Sequence, residues 1–120
     1  MLIKIFAVGL GGFFGAILRF VLSSVILKVY PSFPLGTLFV NVFGSFLMGI
    51  FLSLNFENEN LKLFVTTGIL GALTTFSTFT YENIIFLNEN NFKFFILNII
   101  LNLLLCILFC YLGILLIKKL

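Results

Sequence analysis

Long apolar runs alternate with short polar stretches along the chain. The runs lie at residues 2–27, 35–54, 61–86 and 92–117. Each has about 20 residues or more, which is enough for a helix to cross roughly 30 Å of hydrocarbon. The stretches between them contain proline or clustered asparagine, which mark turns. The pattern predicts an all-α membrane protein in which a single domain, residues 1–120, contains four transmembrane helices.

The composition requires lipid as the solvent. The 120 residues are 62% hydrophobic and 9% charged, and the mean hydropathy is +1.29. A soluble domain of this length cannot bury so much apolar surface. The first run follows Lys4 but contains Arg19 and shows no small-residue cleavage site, so we expect a retained span and not a signal peptide.

The residue types exclude several classes of function. The chain has no histidine, which excludes histidine-based catalysis and a Cys/His metal site. Cys106 and Cys110 lie one helical turn apart, a poor geometry for a disulfide. We find no nucleotide-binding motif, no basic patch for nucleic acid and no buried carboxylate pair. We therefore expect a protein that is not an enzyme and that binds neither nucleotides nor nucleic acid.

Four lysines lie on one side of the predicted membrane and two on the other, which Arg19 joins if it reaches outward, so the positive-inside bias is weak. Four crossings put both termini on one side, and the weak charge bias permits insertion in both orientations. A fixed orientation with cytoplasmic termini is equally compatible with the charges. The lysines on the side of the termini are Lys4, Lys62, Lys118 and Lys119, and those on the other side are Lys28 and Lys93.

Small residues recur at the spacing of close helix contacts. One four-helix unit is too small to enclose a wide aqueous path, so we expect a homo-oligomer. The spacing alone does not assign the contacts to the interior of a subunit or to a dimer interface. The pairs are Gly11 with Gly15, Gly12 with Ala16, Ser45 with Gly49, and Gly68 with Ala72.

Individual polar residues inside the spans need a partner or a conducted solute. Arg19 either ties helices together or attracts an anion. Glu82 lies near the end of the third span, where an interfacial or paired role is favoured. Asn41 follows Thr37 by about one turn, and such an asparagine bonds a neighbouring helix or lines a path.

Polar residues also recur every four positions along the fourth span. This repeat forms a slowly winding stripe that covers roughly 18 Å of helix rise. Hydrogen bonding between helices explains one asparagine, whereas a stripe of this length favours the lining of a path. The stripe consists of Asn98, Asn102, Cys106 and Cys110.

The third span combines glycines with many hydroxyls. Such hydroxyls compete with the helical ladder, and glycine adds backbone freedom, so we expect a broken helix between Gly71 and Thr75. Carbonyls freed at membrane depth need protein, water or an ion, and without a nearby carboxylate they suit a hard cation such as Na⁺. The alternative is an intact helix whose hydroxyls all bond back to it.

Phe76 and Phe79 are three residues apart and share a helix face beside Ser77 and Thr78. Among 18 phenylalanines, such a pair most often faces lipid or fills a core. Here, ring edges are positive and hydroxyls are donors, so together they can replace part of an anion's hydration shell.

Three motifs resemble those of the Fluc (CrcB) fluoride channels. They are GGFFGAILR in the first span, GTLFVNVFGSFLMG in the second and GILGALTTFSTF in the third. Their order, their spacing and the plan of four short-looped spans match the family, so the resemblance covers essentially the whole chain. It implies an antiparallel, dual-topology homodimer in a prokaryotic inner (plasma) membrane, with fluoride as the permeant ion.

The resemblance also implies roles for particular residues. A structural Na⁺ at the dimer interface would be held by the backbone carbonyls of Gly71 and Thr74. Asparagine and cysteine on the fourth span replace hydroxyls of the family pattern, and Ala72 replaces a glycine. The implied pore residues are Phe76, Phe79, Asn41, Ser77, Thr78, Thr37, Asn98, Asn102, Cys106 and Arg19.

Two other classes of protein share some of these features. A small multidrug exporter is also a four-helix, dual-topology dimer, but it needs a carboxylate in the first span, where this chain has no Asp or Glu. An assembly factor without transport activity would explain the small-residue packing, but not the polar stripe or the hydroxyl-rich segment.

Overall fold

The computed structural model describes residues 1–119, and this part of the chain consists of helices joined by short loops. Four helical spans in it are long and apolar enough to cross a membrane, which confirms the predicted all-α, multi-pass membrane protein. The helices are α1 (Leu2–Val29), α2 (Leu35–Ser53), α3 (Glu59–Leu63), α4 (Gly71–Leu73), α5 (Phe76–Asn88) and α6 (Phe92–Lys118).

The third span, Glu59–Asn88, is built from consecutive pieces. A π-helical segment, Phe64–Leu70, joins α3 to α4. Thr74 (φ −78°, ψ 154°) and Thr75 (φ −149°, ψ 115°) then have extended backbones, so the helix is interrupted before α5. The interruption falls at the end of the predicted segment, and the alternative of an intact helix does not hold.

Hydroxyls in this span bond back to the helix, as expected of threonine at membrane depth. Thr66 donates to the Lys62 carbonyl at 2.8 Å, and Thr74 donates to the Leu70 carbonyl at 3.1 Å. After the interruption, the Thr75 hydroxyl accepts a hydrogen bond from the Thr78 amide and caps α5. The same residue types therefore support the helices on both sides of the break.

Glycines allow the helices to pack with their backbones almost in contact. α1 packs along the third span, and α2 packs along α6. A Cβ on Gly11 would collide with the Phe64 carbonyl, and one on Gly49 would collide with the Cys110 carbonyl. These two glycines therefore make close contacts within one chain, whereas a Cβ on Gly12 meets no atom of residues 1–119 within 4 Å.

Candidate functional site

Asn41 of α2 holds the interruption of the third span. Its Oδ1 accepts a hydrogen bond from the Thr75 amide at 2.8 Å, and its Nδ2 donates to the Thr75 carbonyl at 3.1 Å. Nδ2 also donates to Asn102 Oδ1 of α6 at 3.0 Å. Extended backbone inside a membrane needs hydrogen-bond partners within the protein. The two bonds from Asn41 supply these partners, which explains how the Thr75 backbone can leave the helical hydrogen-bond pattern. The interpretation that Asn41 bonds neighbouring helices is confirmed.

The interruption also removes amide donors from two carbonyls. In a continuous helix, the carbonyls of Gly71 and Thr74 would accept from the amides of Thr75 and Thr78. Here the Thr75 amide donates to Asn41, and the Thr78 amide donates to Thr75 Oγ1 at 3.2 Å. Gly71 is exposed and Thr74 is half-buried. Their carbonyl oxygens are ligands of the kind that hard cations prefer.

An aromatic cavity of about 340 Å³ lies between α2, α5 and α6. Phe76 and Phe79 both line it, with ring centroids 5.5 Å apart and ring planes at 44°. Phe79 is 7% exposed, whereas Phe76 is 74% exposed. The polar residues of the wall are Asn41, Ser45, Thr74, Thr75, Asn102, Cys106 and Cys110.

A basic cavity of about 240 Å³ lies on the side of α1. Arg19 lines it, and its Nη1 donates to the Thr74 carbonyl at 3.3 Å. Arg19 therefore ties α1 to the interruption and also places a positive charge beside the cavity. Thr75 lines both cavities. The hydroxyl residues of the basic cavity are Ser23, Ser24, Thr37, Thr75 and Thr78.

Glu82 pairs with a hydroxyl of the second span. The Thr37 hydroxyl donates to Glu82 Oε1. Glu82 Oε2 is buried and has no hydrogen-bond partner among residues 1–119. This is the paired role that the position in the third span favoured.

The polar stripe of α6 divides into asparagines and cysteines. Asn98 and Asn102 are 0% and 4% exposed, and both are hydrogen-bonded within the chain. Cys106 lies beside Ser45 of α2 and is only half-buried. The asparagines thus link helices, and Asn102 also lines the aromatic cavity together with Cys106 and Cys110.

Eight of the ten predicted pore residues line one of the two cavities. Ser77 and Asn98 line neither of the two cavities described above, and Ser77 Oγ lies 3.3 Å from Thr75 Oγ1. Those on the aromatic cavity are Asn41, Phe76, Phe79, Asn102 and Cys106, and those on the basic cavity are Arg19, Thr37 and Thr78.

Asn83 was missed in reasoning from the sequence. It is 6% exposed, its Nδ2 donates to the Phe79 carbonyl at 2.8 Å, and its Oδ1 accepts from Asn98 Nδ2 at 3.4 Å. The available signal was an amide side chain within the third span, four residues after Phe79.

Comparisons with known proteins support the resemblance found in the motifs. The family described as CrcB-like protein, Camphor Resistance (CrcB), matches residues 6–114. The "Fluoride-specific ion channel FluC" of Campylobacter jejuni (strain 81-176) is 48% identical over 123 residues, covering 98% of this chain and 100% of that protein. Proteins of the same name from Campylobacter lari and Shewanella halifaxensis are 49% and 44% identical, covering 98% and 88% of this chain and 100% and 89% of those proteins. This chain therefore belongs to the CrcB family.

Proposed function

We propose that this protein is a channel that conducts fluoride passively and selectively out of a bacterial cell. The observation that carries the proposal is the aromatic cavity, where Phe76 and Phe79 stand beside hydroxyls on an interrupted helix. The curated relatives are named fluoride-specific ion channels. A channel of this kind is a transporter and not an enzyme. Membership of the CrcB family does not support the small multidrug exporter alternative.

The two cavities would form successive parts of one ion path. The Arg19 charge would attract the anion, and the hydroxyls of Ser23, Ser24 and Thr78 would partly dehydrate it. The hydroxyls of Thr37 and Thr75 already donate to Glu82 and Thr78. Thr75, which lines both cavities, would connect them. In the aromatic cavity, the positive edges of the rings would replace further water around the ion. Selectivity would arise from fixed donors and a narrow width, because fluoride holds its water strongly.

The membrane potential supplies the driving force. HF enters from acidic surroundings and dissociates inside the cell, and the negative potential then drives F⁻ outward. A potential near 100 mV supplies about 2.3 kcal/mol per charge, so neither ATP nor a coupling ion is required. A passive pore in the inner membrane is therefore sufficient for resistance to fluoride.

Exposed polar groups on the third span support a homodimer. Ser77 and Thr78 are exposed in the single chain, although they lie at membrane depth. Hydroxyls facing lipid are unfavourable, so a second copy is expected to cover this face and complete the path. The weak bias of positive charge between the two sides is compatible with an antiparallel, dual-topology arrangement.

The same face fits a structural Na⁺. Gly71 and Thr74 present carbonyl oxygens that have lost their helical amide donors, and one chain supplies two of them. The Thr74 oxygen also accepts from Arg19, so it would offer the ion its second lone pair. A second copy would supply two more and complete a set of hard oxygen ligands. When bound, the ion would hold the two interruptions together. The protein's own residues would shape the anion path.

Fluoride efflux from liposomes tests the proposal directly. Vesicles containing the purified protein are expected to release fluoride when the potential is short-circuited, and to retain chloride under the same conditions. A multidrug exporter would move neither halide, and an assembly factor would leave both trapped. Retention of fluoride would therefore contradict the proposed function.

Substitution of a ring tests the aromatic cavity. Phe79→Ile keeps an apolar side chain but removes the ring edge, so fluoride efflux should fall to the level of empty vesicles while the dimer still assembles. Efflux rate and size-exclusion chromatography in detergent measure the two properties. The matched control is Phe6→Ile, at an exposed position of α1 that lines neither cavity. Undiminished efflux through Phe79→Ile would contradict the pore assignment.

A further inference from the structure

Four buried asparagines form a continuous hydrogen-bonded chain from the interruption to the first turn of α5. It begins at the Thr75 amide and ends at the Phe79 carbonyl. All four side chains are at most 9% exposed. We call this feature the amide chain, and its members in order are Asn41, Asn102, Asn98 and Asn83.

The links of the amide chain all run in one direction. Nδ2 of Asn41 donates to Asn102 Oδ1 at 3.0 Å, and Nδ2 of Asn102 donates to Asn98 Oδ1 at 2.9 Å. Nδ2 of Asn98 then donates to Asn83 Oδ1 at 3.4 Å. The amide chain therefore links α2 to α6 and α6 to α5.

Backbone groups at both ends set this direction. The Thr75 amide can only donate, so Asn41 must present Oδ1 to it. The Phe79 carbonyl can only accept, so Asn83 must present Nδ2. Turning any amide around would place two donors or two acceptors against each other, which is costly in a buried site.

The amide chain also engages the side-chain N–H groups of Asn41 and Asn102, which line the aromatic cavity. The two hydrogens of Asn41 Nδ2 go to the Thr75 carbonyl and to Asn102. Those of Asn102 Nδ2 go to the carbonyl and to Oδ1 of Asn98. With both donors of each amide engaged, these side chains have no further hydrogen for an anion in this arrangement. In this arrangement their hydrogen bonds hold the third span and do not reach an anion.

We propose that the amide chain positions Phe76 and Phe79, and that Asn83 and Asn98 are positioning residues of the ion path. Both rings belong to the short segment between the Thr75 amide and the Phe79 carbonyl, which are the two points that the amide chain holds. If the amide chain were weakened, α5 could rotate relative to α2 and α6. The edges of the two rings would then no longer face the ion path. This inference deepens the proposed fluoride conduction and rests on it.

Asn83→Ala and Asn98→Ala test the inference because neither residue lines either cavity. In sparsely loaded liposomes, the fraction of vesicles that empty counts active channels, and the speed of emptying gives the rate per channel. Each variant should reduce the rate per channel by about tenfold, the effect of losing roughly one buried hydrogen bond. Because either substitution alone already interrupts the amide chain, the double variant should be no slower than the slower single variant.

Thr66→Val is the matched control, since Thr66 is buried and its hydroxyl bonds only to the Lys62 carbonyl of its own span. It should leave the rate per channel unchanged. A purely structural role for the asparagines would reduce the fraction of vesicles that empty and leave the rate per channel intact, which would overturn the inference. If Asn98→Ala does not fold, Asn83→Ala, at the last position of the amide chain, makes the same test. Wild-type vesicles that retain fluoride would instead overturn the proposed function.

Discussion

Arg19 combines a structural contact with an electrostatic one. Its Nη1 donates to the Thr74 carbonyl, while the guanidinium stands beside the hydroxyls of the basic cavity. The contact explains why an arginine is tolerated inside a membrane span, where a charge needs a partner. The cavity explains why the charge would be useful to an anion. The two interpretations drawn from the sequence are therefore compatible.

Arg19→Gln separates the two roles because glutamine can still donate to a carbonyl but carries no charge. Fluoride efflux should fall by about fivefold at low fluoride, corresponding to roughly 1 kcal/mol of attraction for a charge near the ion in a wet cavity. The difference should shrink at high fluoride or high ionic strength. Efflux rates over a range of fluoride concentrations measure this, with Lys28→Gln at the exposed end of α1 as the control. A rate that is unchanged at every concentration would leave Arg19 with only its structural contact.

The helices show what can be predicted from a sequence of this kind. Hydropathy located the four spans because burial in lipid requires long apolar runs. The interruption was expected from local chemistry, the hydroxyls and Gly71. The π-helical segment Phe64–Leu70 was not expected, since a change in hydrogen-bond register has no residue signature of its own. The link between Asn83 and Asn98 joins two helices, so spacing along either helix could not reveal it.

Helix packing makes a separate prediction at α1. Gly11→Ala places a methyl group against the Phe64 carbonyl, so α1 and the third span must move apart. We expect a loss of roughly 1–3 kcal/mol in stability, typical of overpacking, and a lower melting temperature in detergent. Gly9→Ala on the same helix is the control, because an added Cβ meets no atom of residues 1–119 within 4 Å. Equal melting temperatures for the two variants would contradict the close contact.

At the scale of the whole molecule, the proposed homodimer would cover groups of the third span that the single chain leaves exposed. Phe79 is buried but Phe76 is exposed, and the Gly71 carbonyl that lost its helical donor belongs to an exposed residue. Both features lie on the third span, so one symmetric contact between two copies could cover them together. An antiparallel pair would need chains inserted in both orientations. A chain can insert both ways only if its positive charges are weakly biased between the two sides of the membrane.

Labelling from one side of the membrane tests this requirement. Asn90→Cys, in a chain that also carries Cys106→Ser and Cys110→Ser, places one thiol in the loop between α5 and α6. In intact cells, an impermeant maleimide should label about half of the protein if the weak lysine bias permits both orientations. Adding Glu57→Lys to that chain puts a fifth lysine on the side of the termini, against two on the other side. It should therefore make the orientation with cytoplasmic termini dominant, raise the labelled fraction towards completeness and reduce fluoride efflux. The control is Glu57→Gln, which removes the same exposed carboxylate without adding a positive charge and should not select one orientation. Complete or absent labelling of the starting chain, with full fluoride efflux, would contradict the antiparallel dimer.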